Sequence, residues 1–255
     1  MTTHILTDVA GSVMTVRFNR PEKKNSLTME MYDALANACR TAAADPNVRV
    51  VVFTGNGDIF CAGNDLKEFL DPSSTLPDRP VFHFMHAMST MPKPVIAAVN
   101  GAAIGIGVTM LLHCDFIYAV PGARFQVPFV NLAITPEFAS SLLLARVIGV
   151  RSANEMLLLG ESFTAQRALT DGLINETVPA ENLMATVAAK AKALAALPPR
   201  ALRETKAQMR GDIAEITARM KLENKVLNES MKTPELKEAV QAFFEKRPAD
   251  FSRFS

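Results

Sequence analysis

The chain has 255 residues and a formal net charge of +1, with no cluster of lysine and arginine. This length allows one large domain, or one domain and a small appendage, around a substantial core. The even charge balance excludes a nucleic-acid-binding footprint, and no apolar run approaches the roughly 20 residues that span a bilayer. Residues 1–10 have neither the basic nor the apolar segment of a signal peptide, and Arg253-Phe254-Ser255 is not a peroxisomal S-K-L address. The expected compartment is the cytoplasm. Three scattered cysteines, Cys39, Cys61 and Cys114, agree with it as reduced, mostly buried thiols.

In chain order, Val13 to Phe18 alternates, with Met14, Val16 and Phe18 on one face, which predicts a strand. Asn19 to Asn25 is a loop by composition. Thr28 is a helix cap, followed by Tyr32, Leu35, Cys39 and Ala42 on one stripe, and Asp45-Pro46 stops that helix. Val48 to Thr54 is almost wholly β-branched, the pattern of a strand covered on both faces. Strand, helix, strand implies an α/β arrangement. A turn at Gly55 to Asp58 leads to Phe60-Cys61-Ala62-Gly63-Asn64-Asp65-Leu66. Asp71 to Pro80 is a Pro/Ser-rich surface loop, Val81 to Met91 an apolar, Met/Phe-rich run, and Pro94 to Asn100 a second buried strand. Thr135-Pro136-Glu137 is expected to open a helix that Gly149 ends. From Leu183 onward the pattern is helical, divided at Leu197-Pro198-Pro199, and Thr233-Pro234-Glu235 opens the last segment.

The stretch Ala98 to Met110 organises the rest. An apolar strand ends in Gly101, Gly105 and Gly107, and an apolar helical pattern follows. Strand, glycine turn and helix start leave free backbone N–H groups, which suit an anion or an oxygen that becomes one during a reaction. Met110 stands where a dinucleotide fingerprint needs its third glycine. Glycines that only let a helix pack closely on a strand explain the pattern equally well.

Seven stretches, in order, resemble the crotonase superfamily, the enoyl-CoA hydratase/isomerase family. They are Asn19-Arg20-Pro21 with Asn25-Ser26-Leu27, Phe60 to Leu66, Pro94 to Gly101, Cys114-Asp115, Gly160 to Ala165, Gly172 to Asn175, and Ala242 to Arg247. The resemblance implies an α/β fold: a spiral of β-β-α turns over residues 1–196 and a C-terminal helical trimerisation region over 197–255. It implies homotrimers or dimers of trimers that act on acyl-coenzyme A without a further cofactor or metal. It also implies two main-chain donors for the thioester oxygen, placed on Ala62 and Ile106. The substrate-binding candidates are Lys24, Asp65, Leu66, Phe129, Leu132, Phe243 and Lys246. Of these, Lys24 is expected near the coenzyme A phosphates, and Phe243 with Lys246 at a neighbouring subunit's ligand. Asp65 and Asp115 match positions that are usually structural in the family.

An enolate needs a base, and the two glutamates of the hydratases are replaced here by Thr109 and Phe129. Neither can do acid–base work on water at neutral pH. Glu137 sits where the peroxisomal type of Δ3,Δ2-enoyl-CoA isomerase carries its single glutamate, and one carboxylate suffices for a 1,3-proton shift. Thr-Pro-Glu is equally an ordinary helix start, as expected at Thr233-Pro234-Glu235. A pocket walled by Phe129 and Leu132 raises the pKa of such an acid, whereas a helix dipole lowers it. The other readings are a weak enoyl-CoA hydratase, a dienoyl-CoA isomerase, which needs an acid at 129, and a non-catalytic acyl-CoA-binding protein. Phe69, Leu70, Phe82, Met85 and Met88 form either an acyl tunnel or plain core. His83 and His86 share a helix face without an evident third metal ligand.

Overall fold

The structure, a computed structural model, describes residues 2–69 and 79–254. Leu70 and most of the Asp71 to Pro80 loop lie outside them, as does the side chain of Phe69.

The chain opens with β1 (Ile5–Ala10) and β2 (Val13–Phe18), then α1 (Met29–Ala44), β3 (Val50–Gly55), β4 (Ile59–Cys61), α2 (Leu66–Phe69) and α3 (Pro80–Ser89). Next come β5 (Val95–Val99), β6 (Ala102–Ile104), α4 (Ile106–Thr109), β7 (Phe116–Ala119), β8 (Arg124–Gln126) and α5 (Ser140–Leu158). The remainder is β9 (Phe163–Thr164), α6 (Ala165–Thr170), β10 (Glu176–Thr177), α7 (Ala180–Ala196), α8 (Pro199–Arg210), α9 (Ile213–Ser230) and α10 (Pro234–Glu245).

Two sheets share these strands, in the orders β1-β2-β3-β5-β7-β10 and β4-β6-β8-β9. From β3 onward each turn of chain gives one strand to the larger sheet, the next to the smaller, and then turns through helix: β3, β4, α2–α3, then β5, β6, α4, then β7, β8, α5. That repeat is the expected β-β-α spiral. Within each sheet the spiral strands pair in parallel, and β1 and β9 close the ends antiparallel.

The larger sheet forms because its strands are apolar where they are covered. β5 is buried at every residue and β3 at all but Gly55, whereas β2 alternates and buries Met14, Val16 and Phe18. Thr28 caps α1 by accepting the Met31 N–H at 3.3 Å, and the stripe from Tyr32 to Ala42 is buried against α3 and the sheet. No described helix is long and apolar enough to cross a membrane.

The helices after residue 197 pack back on their own spiral rather than standing free. Asp115 is the main fastening. Its carboxylate accepts the Val95 N–H at 2.7 Å and the Lys206 ammonium of α8 at 2.6 Å. Lys206 also reaches the Lys93 carbonyl at 2.5 Å, and Arg210 donates to the His113 carbonyl at 2.5 Å. Asp115→Asn leaves a buried ammonium without its counter-charge, and the expected loss is about 2 kcal/mol, read as a lower urea midpoint at unchanged slope.

Candidate active site

Two chain reversals meet beside the smaller sheet. After β4, Asn64 forms a parallel bridge with Leu27, in which Leu27 N–H donates to the Gly63 carbonyl at 2.8 Å and Asp65 N–H to the Leu27 carbonyl at 2.9 Å. A bridge of this kind spends the carbonyl before the middle residue and the N–H after it, and turns the middle N–H away. Asn64 N–H accordingly has no protein acceptor among the described residues, and Asn64 lines the adjacent cavity. Ala62, the expected donor, is a correction: its N–H is bound to the Lys24 carbonyl at 3.1 Å. Gly63, with φ of 88°, redirects the chain between the two, so the spare hydrogen belongs to Asn64.

The second reversal is the glycine turn. Gly105 has φ 56° and ψ −120°, a conformation open to glycine, and its carbonyl accepts the N–H groups of Val108 and Thr109 at 2.9 and 3.1 Å. Ile106, the first residue of α4, has no carbonyl behind it to bond, so its amide has no acceptor among the described residues, and it lines the same cavity. Close packing also matters here: a Cβ on Gly107 would meet the Cys61 carbonyl oxygen at 2.7 Å. The glycine turn therefore both leaves an amide spare and allows close packing.

The cavity has a volume of ≈ 470 Å³, and Leu66, Phe129, Leu132 and Phe243 are among its walls. Beside it lies a recess of ≈ 30 Å³ that shares Asn64, Phe129 and Ile134 with it and is also lined by Phe82, Met85, Arg79 and Glu137. Met88 is buried in the core instead.

Glu137 is 4% exposed, and its Oε1 accepts the Thr109 hydroxyl at 2.6 Å. Thr135-Pro136-Glu137 does not start a helix, which is a second correction. Phe138 and Ala139 take left-handed φ values of 62° and 59°, at ~1–2 kcal/mol each for residues with a Cβ, and α5 begins only at Ser140. The Thr135 hydroxyl has no partner among the described residues. The N-terminus of α5 is capped from a distance by Glu223 of α9, which accepts Ala139 N–H at 2.6 Å, Ser141 N–H at 3.0 Å and the Ser141 hydroxyl at 2.5 Å. Glu137 therefore receives little of the helix dipole. Burial pushes its pKa up to about 8 against the Thr109 hydrogen bond, and the Glu223 charge pushes the same way as burial.

Other expected site residues are placed differently. Asp65 is paired with Arg20 at 2.8 Å and accepts the Lys67 N–H at 3.1 Å, which fixes the loop carrying Asn64. Lys24 contributes its carbonyl to that loop, while Lys23 and Arg20 line a groove that continues from the cavity past Phe243 and Phe244. Lys246 ends α10 with φ 55°, and its neighbour Arg247 is the cation that lines the cavity, held at 2.6 Å by Glu238. Phe243 lines the cavity of its own chain. Cys61 is buried, its thiol pushed up to about 12, and so stays protonated. No three His, Cys, Asp or Glu side chains gather as metal ligands among the described residues.

Four residues at the site escape a sequence reading. Asn64 follows the motif's glycine, and only the bridge identifies its amide as the spare one. Tyr32 reads as core, yet its hydroxyl donates to Asn64 Oδ1 at 2.5 Å. Arg79 is buried in the recess with an unpartnered Nε. Glu223 is one of several acids on an amphipathic helix, with nothing local to mark it.

A spiral α/β core with two spare amides at an apolar cavity and a buried acid in the recess beside it defines the class by its architecture, and comparison places the chain in a family. Residues 8–253 match the family model described as Enoyl-CoA hydratase/isomerase, and the chain belongs to that family. It is 37% identical over 212 residues to Enoyl-CoA delta isomerase 2 of Rattus norvegicus, a match that covers 81% of this chain and 54% of that relative. The chain thus spans about half the length of the delta isomerase 2 proteins it matches. It is 33% identical to the 1,2-epoxyphenylacetyl-CoA isomerase of Escherichia coli (strain K12), over 97% of this chain and 98% of that one. An enoyl-CoA hydratase/isomerase crystal structure from Pseudoalteromonas atlantica T6c superposes with a TM-score of 0.95 at 40% identity, covering 98% of this chain and all of that one.

Proposed function

We propose that the protein is a Δ3,Δ2-enoyl-CoA isomerase working by a single-carboxylate 1,3-proton shift. The observation that carries this reading is Glu137: one buried acid with its pKa near 8, beside two spare amides, with Thr109 and Phe129 where a second acid would be needed for hydration. The thioester oxygen of a 3-enoyl-CoA accepts the N–H groups of Asn64 and Ile106, which makes the C2 proton acidic. The Glu137 carboxylate takes that proton, and the C2–H electron pair moves into a dienolate whose charge rests on the thioester oxygen. The carboxylic acid so formed returns the proton at C4, the double bond settles between C2 and C3, and Glu137 is again a carboxylate. An acid with a pKa near the working pH suits both transfers. Phe129, Leu132 and Ile134 exclude the water that would divert the dienolate.

The coenzyme A part fits the groove of Arg20, Lys23 and Lys67, whose cations suit its phosphates. Exposed Val150 and Leu158 on α5, with Leu159 just after it, give an apolar face suited to a homotrimer. Fatty-acid β-oxidation is the route in which such a double-bond shift is needed.

The base must be ionised before it can act, so kcat/KM for a 3-enoyl-CoA should rise about tenfold per pH unit below a midpoint near 8 and level off above it. Stopped assays of 2-enoyl-CoA formation across pH 6 to 9.5 check this. A flat profile, or hydration of 2-enoyl-CoA as the faster reaction, counts against the isomerase.

A further inference from the structure

We propose that Glu223 is a positioning residue for Glu137, holding from α9 the reversed turn that aims the reacting carboxylate into its recess. This inference rests on the isomerase reading, because it assigns a task to a residue that touches the turn and not the substrate.

Glu223 is 6% exposed, and all three of its hydrogen bonds to α5 fall on the two residues Ala139 and Ser141. The turn it grips is the one the local sequence would not choose. Thr233-Pro234-Glu235 shows what the tripeptide does alone: Thr233 caps the helix by accepting Leu236 N–H at 3.4 Å, proline begins it, and the acid lies in its first turn. At Thr135-Pro136-Glu137 the threonine hydroxyl is unbonded and two left-handed residues follow. Without Glu223, the buried Ala139 amide and the half-buried Ser141 amide would lose their acceptor, and a helix running from Pro136 becomes the competing arrangement. That helix turns Glu137 away from Thr109. Glu223 therefore favours the strained turn over the regular one.

The groups around this pair are few. Thr109 of α4 bonds Glu137, Tyr32 of α1 and Cys61 of β4 lie within its field, and Arg79 shares its recess. Glu223 is faced by Ser141 of α5 and by Arg219 of its own helix. As a like charge, it also makes Glu137 harder to ionise.

The test compares wild type with Glu223→Gln and Glu223→Asp. Glutamine keeps the volume but loses the charge and places an amide nitrogen against N–H donors, whereas aspartate keeps the charge on a shorter arm. For Glu223→Gln at wild-type circular dichroism, kcat for 3-enoyl-CoA should fall about 10- to 100-fold with KM within about twofold. The midpoint of its pH profile should move to lower pH. Glu223→Asp should lose kcat while keeping the midpoint near that of wild type. The Glu137 titration is also followed without substrate, in 13C-glutamate-labelled protein, through the carboxyl signal absent from Glu137→Gln. A substrate-free midpoint that drops in Glu223→Gln supports the coupling even should wild type prove inactive on 3-enoyl-CoA, a result that sinks only the isomerase. A folded Glu223→Gln with wild-type kcat, or with a Glu137 midpoint unmoved, overturns the proposal. Where Glu223→Gln does not fold, an unchanged kcat in Glu223→Asp does so.

Discussion

Glu137→Gln is expected to lower kcat for a 3-enoyl-CoA by about 10³-fold or more while leaving coenzyme A thioester binding within a few-fold. Glutamine fills the same recess and its carbonyl can still accept the Thr109 hydroxyl, so the lost function is proton transfer. The variant also has a stability signature. The folded pKa near 8 lies above the ordinary 4.5, so between those values the folded chain keeps a proton that the unfolded chain has released. The contribution is complete below the ordinary value and is lost as pH rises toward 8, on the order of a few kcal/mol. Glu137→Gln has no such proton. Its urea midpoint should change less than that of wild type between pH 5 and pH 9 and exceed it at pH 9. Wild-type turnover in a folded Glu137→Gln would remove the base from the mechanism, and a parallel pH dependence of stability would show that the carboxyl is not held neutral.

What the sequence discloses follows the range of the interactions involved. β3 and β5 are legible because an unbroken β-branched or apolar run is what a strand buried on both faces requires, and α1 because Thr28 and its apolar stripe act within a few residues of each other. The smaller sheet is not legible from periodicity, since β4, β6, β8 and β9 have two or three residues each, too few to show an alternation. The same limit governs the site. That spare amides follow the glycine turn is legible because a helix start leaves them by construction, and the family resemblance narrows them to Ile106. The choice between Ala62 and Asn64 depends on which amides Lys24 and Leu27 consume, some 35 to 40 positions earlier in the chain. Glu137 is identifiable as the candidate acid, but its helix start fails because Glu223, 84 residues beyond Ala139, outcompetes a local capping rule. Local chemistry can be read along the chain, and decisions made by remote partners cannot.

Ile106→Pro isolates one of the two spare hydrogens. Proline suits the first position of a helix, where no N–H is needed for the fold, and Gly105 before it has no Cβ to clash with the ring. The substitution thus removes the donor and little of the backbone geometry. If the Ile106 amide carries the developing oxyanion, kcat should fall by about 10²–10³-fold, or ~3–4 kcal/mol, as for other lost oxyanion donors. Ile106 is 1% exposed, so losing its side chain has a separate cost, and Ile106→Ala measures it. Ile106→Ala keeps the amide, and its expected loss is about 2–4 kcal/mol of stability with kcat within several-fold of wild type. Both variants should be destabilised by the lost side chain, and turnover should separate them, falling in proline and not in alanine. Equal kcat in folded Ile106→Pro and Ile106→Ala would mean that the oxygen takes its hydrogen bonds elsewhere, and the glycines before α4 would then be there only for the close packing of Gly107 on Cys61.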